Sequence, residues 1–567
     1  MGDVPHNLRQ YVVEQDYEQY TEVDQAVWRF VLLQTYERLQ QTAHPAYREG
    51  LAQTGISVER IPRIAEMSAC LARFGWHAVC VDGFIPPRAF QEFQAASILP
   101  IAADMRTKDH LVYTPAPDII HEAAGHAPIL PDARYAEYLR AIGNVGKKAF
   151  SSPEDARVYN AIFELSEVKE TRSVRPELVL RAEARLEQAL AAVSFTSEAS
   201  RLSRLYWWTA EYGLVGTPND YRLYGAGLLS SLWESHTCHD PAVRKLPLSA
   251  GCVEQGYDIT RTQPQLFVAR DFEQLFSVLA EVDASLAHHE GGDRALAAAL
   301  RSEEVGTFEF EGERFATGRL SAASGNAASG VLTFHGRVAV GSKGRLRELF
   351  EAPTGGYRLP FGALVGGGSL GALGPIGRPI ALDFESGVSL RGTLSGVELD
   401  ARGLLFSARL RDYRLSSEQG GFSEQGAEYL LLAAPRLLTA HAGASDTSYF
   451  PESAPSELCV PKPRTLQQRE RALLSLYERA IAAFRDRLGG RAVPVFSAIH
   501  AELAQSFPDE WLLRWNLLEC LCKLGESGGA RDSFARTLQD ELLALELKFS
   551  HKEPIASGLR YLSLLAA

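Results

Sequence analysis

Two histidines and one glutamate stand out by type and setting. His121 and His126 lie five residues apart in YTPAPDIIHEAAGHAPILP, and Glu211 sits inside the aromatic run YWWTAEYGL. A carboxylate among aromatic side chains is costly to bury unless it is paired or bound to a cation. Two imidazoles and one carboxylate on one face of an ion leave the other face open, the donor set with which non-haem iron(II) activates dioxygen. The spacing differs from HExxH, where residues four apart share one helix face. On an ideal α-helix a spacing of five separates two side chains by roughly 140°. Gly125 and Pro128 mark a helix that ends or distorts near His126, which would bring both rings to one ion. Asp118, after two prolines, is placed to cap that helix. Type and spacing alone leave the commoner outcome open: a histidine in an apolar segment is more often structural, and a glutamate among aromatics is often paired with arginine.

The elements that must hold these residues fall into regions of different texture. Residues 1–300 carry helical patterns, such as PELVLRAEARLEQALAAV (176–193), which reads as an amphipathic helix with one face on a core. Residues 305–440 alternate apolar and polar residues with glycine punctuation, as in GVSLRGTLSGVEL, and predict a β-rich domain, a small barrel or sandwich. The glycine-dense stretch 362–382 lacks the Gly-Lys-Ser/Thr of a phosphate loop, so turns and bulges are expected there. Residues 441–463 are rich in Ser and Pro and read as a linker. Residues 464–567 return to helical spacing and suggest a repeat-like helical array.

At the chemistry-bearing segments the sequence resembles the pterin-dependent aromatic amino acid hydroxylases. The matched stretches are YTPAPDIIHEAAGHAP, YWWTAEYGL and YGAGLLSSLWE (224–234), with a weaker match through LPLSAGC and TQPQLFVARDFEQL. The resemblance implies a mainly α catalytic domain, Fe(2+), a tetrahydropterin cosubstrate, O2 and ring hydroxylation, most simply phenylalanine to tyrosine. It implies His121, His126 and Glu211 as iron ligands, and Arg106 as the clamp on the substrate carboxylate. It further implies Thr114, Pro117, Trp207, Gly227 and Ser230 on the substrate side, and Gly83, Phe90 and Glu122 on the pterin side. Glu234 is implied as a carboxylate behind the ligands.

The chain departs from the family pattern at several positions. Pro86 and Pro87 stand in the pterin loop, and Ala116 stands where animal members carry glutamate. Tyr212 replaces phenylalanine, adding a hydroxyl that must find a partner if buried. Pro100 and Ile259 occupy pocket-edge positions linked with substrate choice. No amino-terminal regulatory domain and no family tetramerisation helix is expected.

Three other readings stay open at this level: the same chemistry on tryptophan, tyrosine or a derivative, a zinc hydrolase, and a scaffold that keeps the metal site. The extension 305–567 is a candidate for a protein partner or self-association. A formal net charge of −12 argues against nucleic acid. No apolar run is long enough for a membrane. Seven scattered cysteines predict neither a disulfide framework nor a zinc site. The expected compartment is cytoplasmic.

Overall fold

The computed structural model describes residues 4–111, 117–170, 176–259, 261–367, 373–418, 420–450, 467–486, 492–524, 529–548 and 552–566. Thr114, Ala116, Cys459 and most of the expected linker lie outside them. No helix among the described residues is long and apolar enough to cross a membrane. The cysteines among them are free thiols.

The helix Glu22–Thr42 organises the first part of the chain. Thr21 and Asp24 close its N-terminus as a reciprocal capping box. Its residues Ala26 to Leu33 are buried in an unbroken run, including Arg29. A helix apolar on every side must be covered on every side. The family-like segments cover one flank. The other is covered from the far end of the sequence, where Trp511 and Trp515 set their rings edge-on to Phe30 at 5.1 and 4.7 Å.

Among the described residues five helices form that far end: Gln468–Arg485, Ala492–Ser506, Trp511–Lys523, Gly529–Lys548 and Lys552–Ala566. Trp511–Lys523 is buried from Trp511 to Leu521, and its apolar residues join the same core as Trp28, Phe30 and Val31. Gly558 lets the last helix close on it, because a Cβ there would lie 2.7 Å from Trp515 Nε1.

Among the described residues, the strands of 305–442 form two antiparallel sheets. One runs Arg345–Glu351, Ser329–Ser342, Arg314–Asn326, Val305–Phe310, Leu437–Ala442, with Tyr357–Phe361 also paired to Ser329–Ser342. The other runs Pro379–Asp383, Val388–Leu399, Leu405–Ser417, Phe422–Leu432. Both contribute to a second core around Phe308, Phe334, Leu390, Leu410 and Leu432. The helix Gly292–Ser302 gives Ala295, Leu296 and Ala299 to this second core, so it packs with the strands.

One expectation changes. Pro176–Ala191 is a helix, but Leu178, Leu180 and Leu190 are exposed, and among its described side chains Ala182 alone is buried. It lies along the helix Pro153–Glu170, with Arg185 on Glu164, away from the main core. Its apolar spacing is helical, but a spacing cannot say whether a core is within reach.

Candidate metal centre

His121 and His126 lie on a π-helical segment, Ile120–His126, followed by a 3₁₀ turn at Ala127–Ile129. A π-turn bonds residue i to i+5, and such turns are frequent at functional sites. The wider turn brings residues five apart toward one face, which narrows the roughly 140° separation of an ideal α-helix. The distortion therefore runs through the whole segment and does not begin at its end. Gly125 permits the packing, since a Cβ there would lie 2.6 Å from the Ala226 carbonyl oxygen. A second π-helical turn, Trp207–Glu211, continues the helix Glu198–Tyr206 and delivers Glu211.

The three side chains converge. His121 Nε2 lies 3.2 Å from Glu211 Oε2, and His126 Nε2 lies 3.1 Å from Glu211 Oε1. The His121 and His126 rings are edge-on, 5.2 Å apart. Both ring nitrogens of His126, together with Glu211 Oε2 and Glu122 Oε2, are buried without a hydrogen-bond partner. Buried polar atoms are normally satisfied, and a cation held by the two histidines and Glu211 would satisfy His126 Nε2 and Glu211 Oε2. Burial opposes charge here, but the neighbours override it. The two imidazoles hold Glu211 far below the usual carboxylate range. The Glu211 carboxylate pushes His121 up to about 9.

The surrounding groups fix these donors. Ser230 donates to the Ala226 carbonyl at 2.7 Å, which leaves its oxygen to accept from His121 Nδ1 at 3.1 Å. Nδ1 is then the donor to Ser230, and Nε2 is the nitrogen that faces Glu211. Glu234, buried and raised by that burial, accepts from the Tyr212 hydroxyl at 2.6 Å and the Gln263 amide at 3.1 Å. The extra hydroxyl of Tyr212 thus has its partner one residue beyond Glu211. Gly227 works through its missing side chain, because a Cβ would press on the Tyr212 ring at 2.7 Å.

Arg106 is buried against Asp118, which takes Nε and Nη2 at 2.7 Å each and the Arg106 backbone amide at 3.1 Å. Asp118 also accepts from the His121 amide at 3.0 Å. Burial would raise the Asp118 pKa, but the guanidinium lowers it. Asp118, expected only as a cap, therefore ties the arginine to the first histidine. Lys108, two residues on, pairs with Glu510, a buried carboxylate that also accepts from Tyr477 at 2.9 Å. The C-terminal helices thus grip the loop that carries Arg106.

On the aromatic side, Trp207 is sandwiched between Tyr257 at 4.2 Å and Tyr212 at 4.6 Å, and its indole donates to Gln263 at 3.4 Å. Pro117 is half-buried at the start of the histidine segment. Phe90 sets its ring edge-on to Tyr206 and 6.5 Å from His126. Glu122 Oε2 lies 3.9 Å from His126 Nε2, with its pKa raised by burial. Gly83 has φ +58°, with open space where a Cβ would be. Pro86 and Pro87 begin the helix Pro87–Ala95, where the fixed φ of proline suits the first turn. Pro100 is buried in the strand Ile98–Ala102, paired with Val79, while Ile259 is half-buried in a turn.

Sequence reasoning missed Tyr257, Gln263, Glu510 and Tyr159, whose hydroxyl donates to the Phe84 carbonyl at 2.8 Å and pins the proline-bearing loop. Tyr257 and Gln263 sit in or beside the weaker matched stretch, which was the available signal. Nothing local marks Glu510.

A family model described as biopterin-dependent aromatic amino acid hydroxylase matches residues 11–175 and 181–289. The chain is 30% identical over 273 residues to the phenylalanine-4-hydroxylase of Pseudomonas aeruginosa, covering 47% of this chain and 86% of that one. It is 30% identical over 281 residues to that of Chromobacterium violaceum, covering 48% and 79%. A solved structure of the Chromobacterium violaceum enzyme with iron(III) and 7,8-dihydrobiopterin aligns at 27% identity over 49% of this chain and 86% of that chain, with a TM-score of 0.39. Through the first of these relatives and the matching family model, the chain belongs to the biopterin-dependent aromatic amino acid hydroxylases.

Proposed function

We propose that the chain hydroxylates phenylalanine to tyrosine with iron(II), a tetrahydropterin and dioxygen, and that His121, His126 and Glu211 are the iron ligands. The observation that carries this reading is the convergence of the three donors from two π-helical turns, with buried donor atoms otherwise unsatisfied. Bound iron would supply an open coordination face for dioxygen. Ser230 sets the His121 tautomer so that Nε2 is the donor. Asp118 holds Arg106 by one edge, leaving Nη1 for the substrate carboxylate. Trp207, stiffened between two tyrosines, and Pro117 wall the ring pocket. Gly83, Phe90 and Glu122 make the pterin side, and Thr114 is kept on the substrate side from the resemblance. Glu234 acts through Tyr212, and Gly227 by leaving room for it.

Phenylalanine is favoured because the relatives carry that name. We further read residues 1–300 as the catalytic region, 305–440 as a β-rich domain, 441–463 as a linker and 464–567 as a helical region. The packing of Gly292–Ser302 moves that helix to the β-rich side. Of the extension, the β-rich part is the surface we assign to a protein partner or second copy, because the C-terminal helices use their apolar face on Glu22–Thr42.

The test is anaerobic loading with iron, then oxygen, tetrahydropterin and phenylalanine, with products read by mass spectrometry. Tyrosine formed in step with pterin oxidation is the expected result. Pterin oxidation without tyrosine would move the substrate to tryptophan, tyrosine or a derivative. Neither product, in protein holding iron stoichiometrically, would sink the reading. His121→Ala and Glu211→Ala should lose iron and activity together, measured by metal analysis and turnover.

A further inference from the structure

Beyond the iron centre, one other cluster of metal-ligating side chains stands out among the described residues. Asp283 lies in the helix Phe272–Ala284, and His288 and His289 follow in the short turn Ala287–Glu290. His289 Nε2 is 2.9 Å from Asp283 Oδ2, and His288 Nε2 is 3.4 Å from Asp283 Oδ1. Two ligands at about 2.0–2.1 Å from a tetrahedral ion sit about 3.4 Å apart, and the iron-site donors sit 3.1 and 3.2 Å apart. The backbone that carries the three is already fixed. The Leu286 amide donates to the Asp283 carbonyl at 2.9 Å, the His289 amide to the Leu286 carbonyl at 3.0 Å, and the Thr439 hydroxyl to the His288 carbonyl at 2.7 Å.

A pair of imidazoles sharing one carboxylate would be the ordinary account, but it leaves atoms over. Asp283 Oδ1 and His288 Nδ1 are both buried without a hydrogen-bond partner. A cation would satisfy that carboxylate oxygen. His289 is half-exposed, which gives an entry path and leaves the fourth position to water. Lys148 and His441 also act on His288, and His441 in turn meets Glu309 at 3.7 Å, so the site carries a single carboxylate in a mixed surrounding.

Position supplies the purpose. Leu275, Val278, Leu279 and Val282, on the helix of Asp283, belong to the first core. Ala287, beside His288, belongs to the core of the strands. The three side chains straddle the junction of the two cores. We propose that Asp283, His288 and His289 form a second metal site, for a divalent first-row ion with N/O preference such as zinc(II), that fixes the turn by which the chain passes from the first core to the second.

The test uses full-length, iron-loaded protein equilibrated with cobalt(II), with iron and cobalt counted in the same samples. One cobalt in addition to retained iron is expected. His289→Ala and Asp283→Asn should each lose that cobalt while keeping iron and hydroxylation, and iron retention shows that the variants are folded. Cobalt should also raise the Tm of the unsubstituted protein and leave both variants unmoved. No cobalt uptake, uptake only as iron leaves, or equal uptake by the variants would each overturn the site.

Discussion

The β-rich strands and the C-terminal helices both follow the family-matched segments, yet they join them in opposite ways. The strands close on their own core of Phe308, Phe334, Leu390 and Leu410, which Phe150 and Ala287 of the catalytic region join, and a set of polar contacts flanks that junction. Arg88 pairs with Glu304, Ser151 donates to Glu304 at 2.6 Å, and the Thr447 hydroxyl donates to Asn7 at 2.9 Å. The C-terminal helices have no such independence. Leu512, Trp515 and Leu521 belong to the same core as Trp28 and the helix Ile120–His126. Apolar burial contributes about 25 cal/mol per Å², so a shared core couples two segments far more strongly than a polar seam does. One extension therefore builds most of a second core, and the other shares the core of the family-matched segments.

The sharpest break of this comparison is a pair of core truncations. Trp515→Ala and Phe334→Ala each remove a buried aromatic ring, at a cost of about 3–5 kcal/mol. Thermal denaturation followed by iron release should shift strongly downward for Trp515→Ala. For Phe334→Ala the strands should unfold first, with iron still bound. Equal iron release in the two variants would mean that the cores are coupled after all.

A smaller effect is expected at the grip on the Arg106 loop. Glu510→Gln removes the charge that holds Lys108, at about 1–2 kcal/mol, or roughly 5- to 30-fold in kcat/KM for the amino acid. Iron content should not change, and the loss should fall mainly on KM. Unchanged kinetics would show that the C-terminal helices support the fold without tuning the site. The smallest effect belongs to the polar seam. Arg88→Ala, which removes a partly exposed ion pair, should cost less than about 1 kcal/mol and leave turnover unchanged. A large loss of activity there would erase the contrast between the two extensions.

The local pattern made much of this molecule legible. The alternation in 305–440 predicted strands because a strand with one buried face must alternate. The helical spacing in 464–567 predicted helices for the corresponding reason. The hydroxyl of Tyr212 predicted a partner because a buried donor needs one, and Glu234 is that partner. The exposed face of Pro176–Ala191 was not legible, since amphipathic spacing shows a face without showing what lies opposite it.

Residue type and the matched segments already name the side chains that could meet a metal, His121, His126 and Glu211. The residue pattern also marks where the texture changes from helix to strand and back. Folding alone brings histidines five apart on a π-helical turn to one carboxylate, and ties Asp118 to both Arg106 and the His121 amide. Only it decided that Trp515 completes a core begun at Trp28, and that Glu510 reaches Lys108 across 402 residues of sequence. The physical reason is the same in each case. Periodicity and motif spacing report forces between near neighbours, while burial, ion pairing and the strain of an i→i+5 turn are fixed by groups that the chain brings together only when folded.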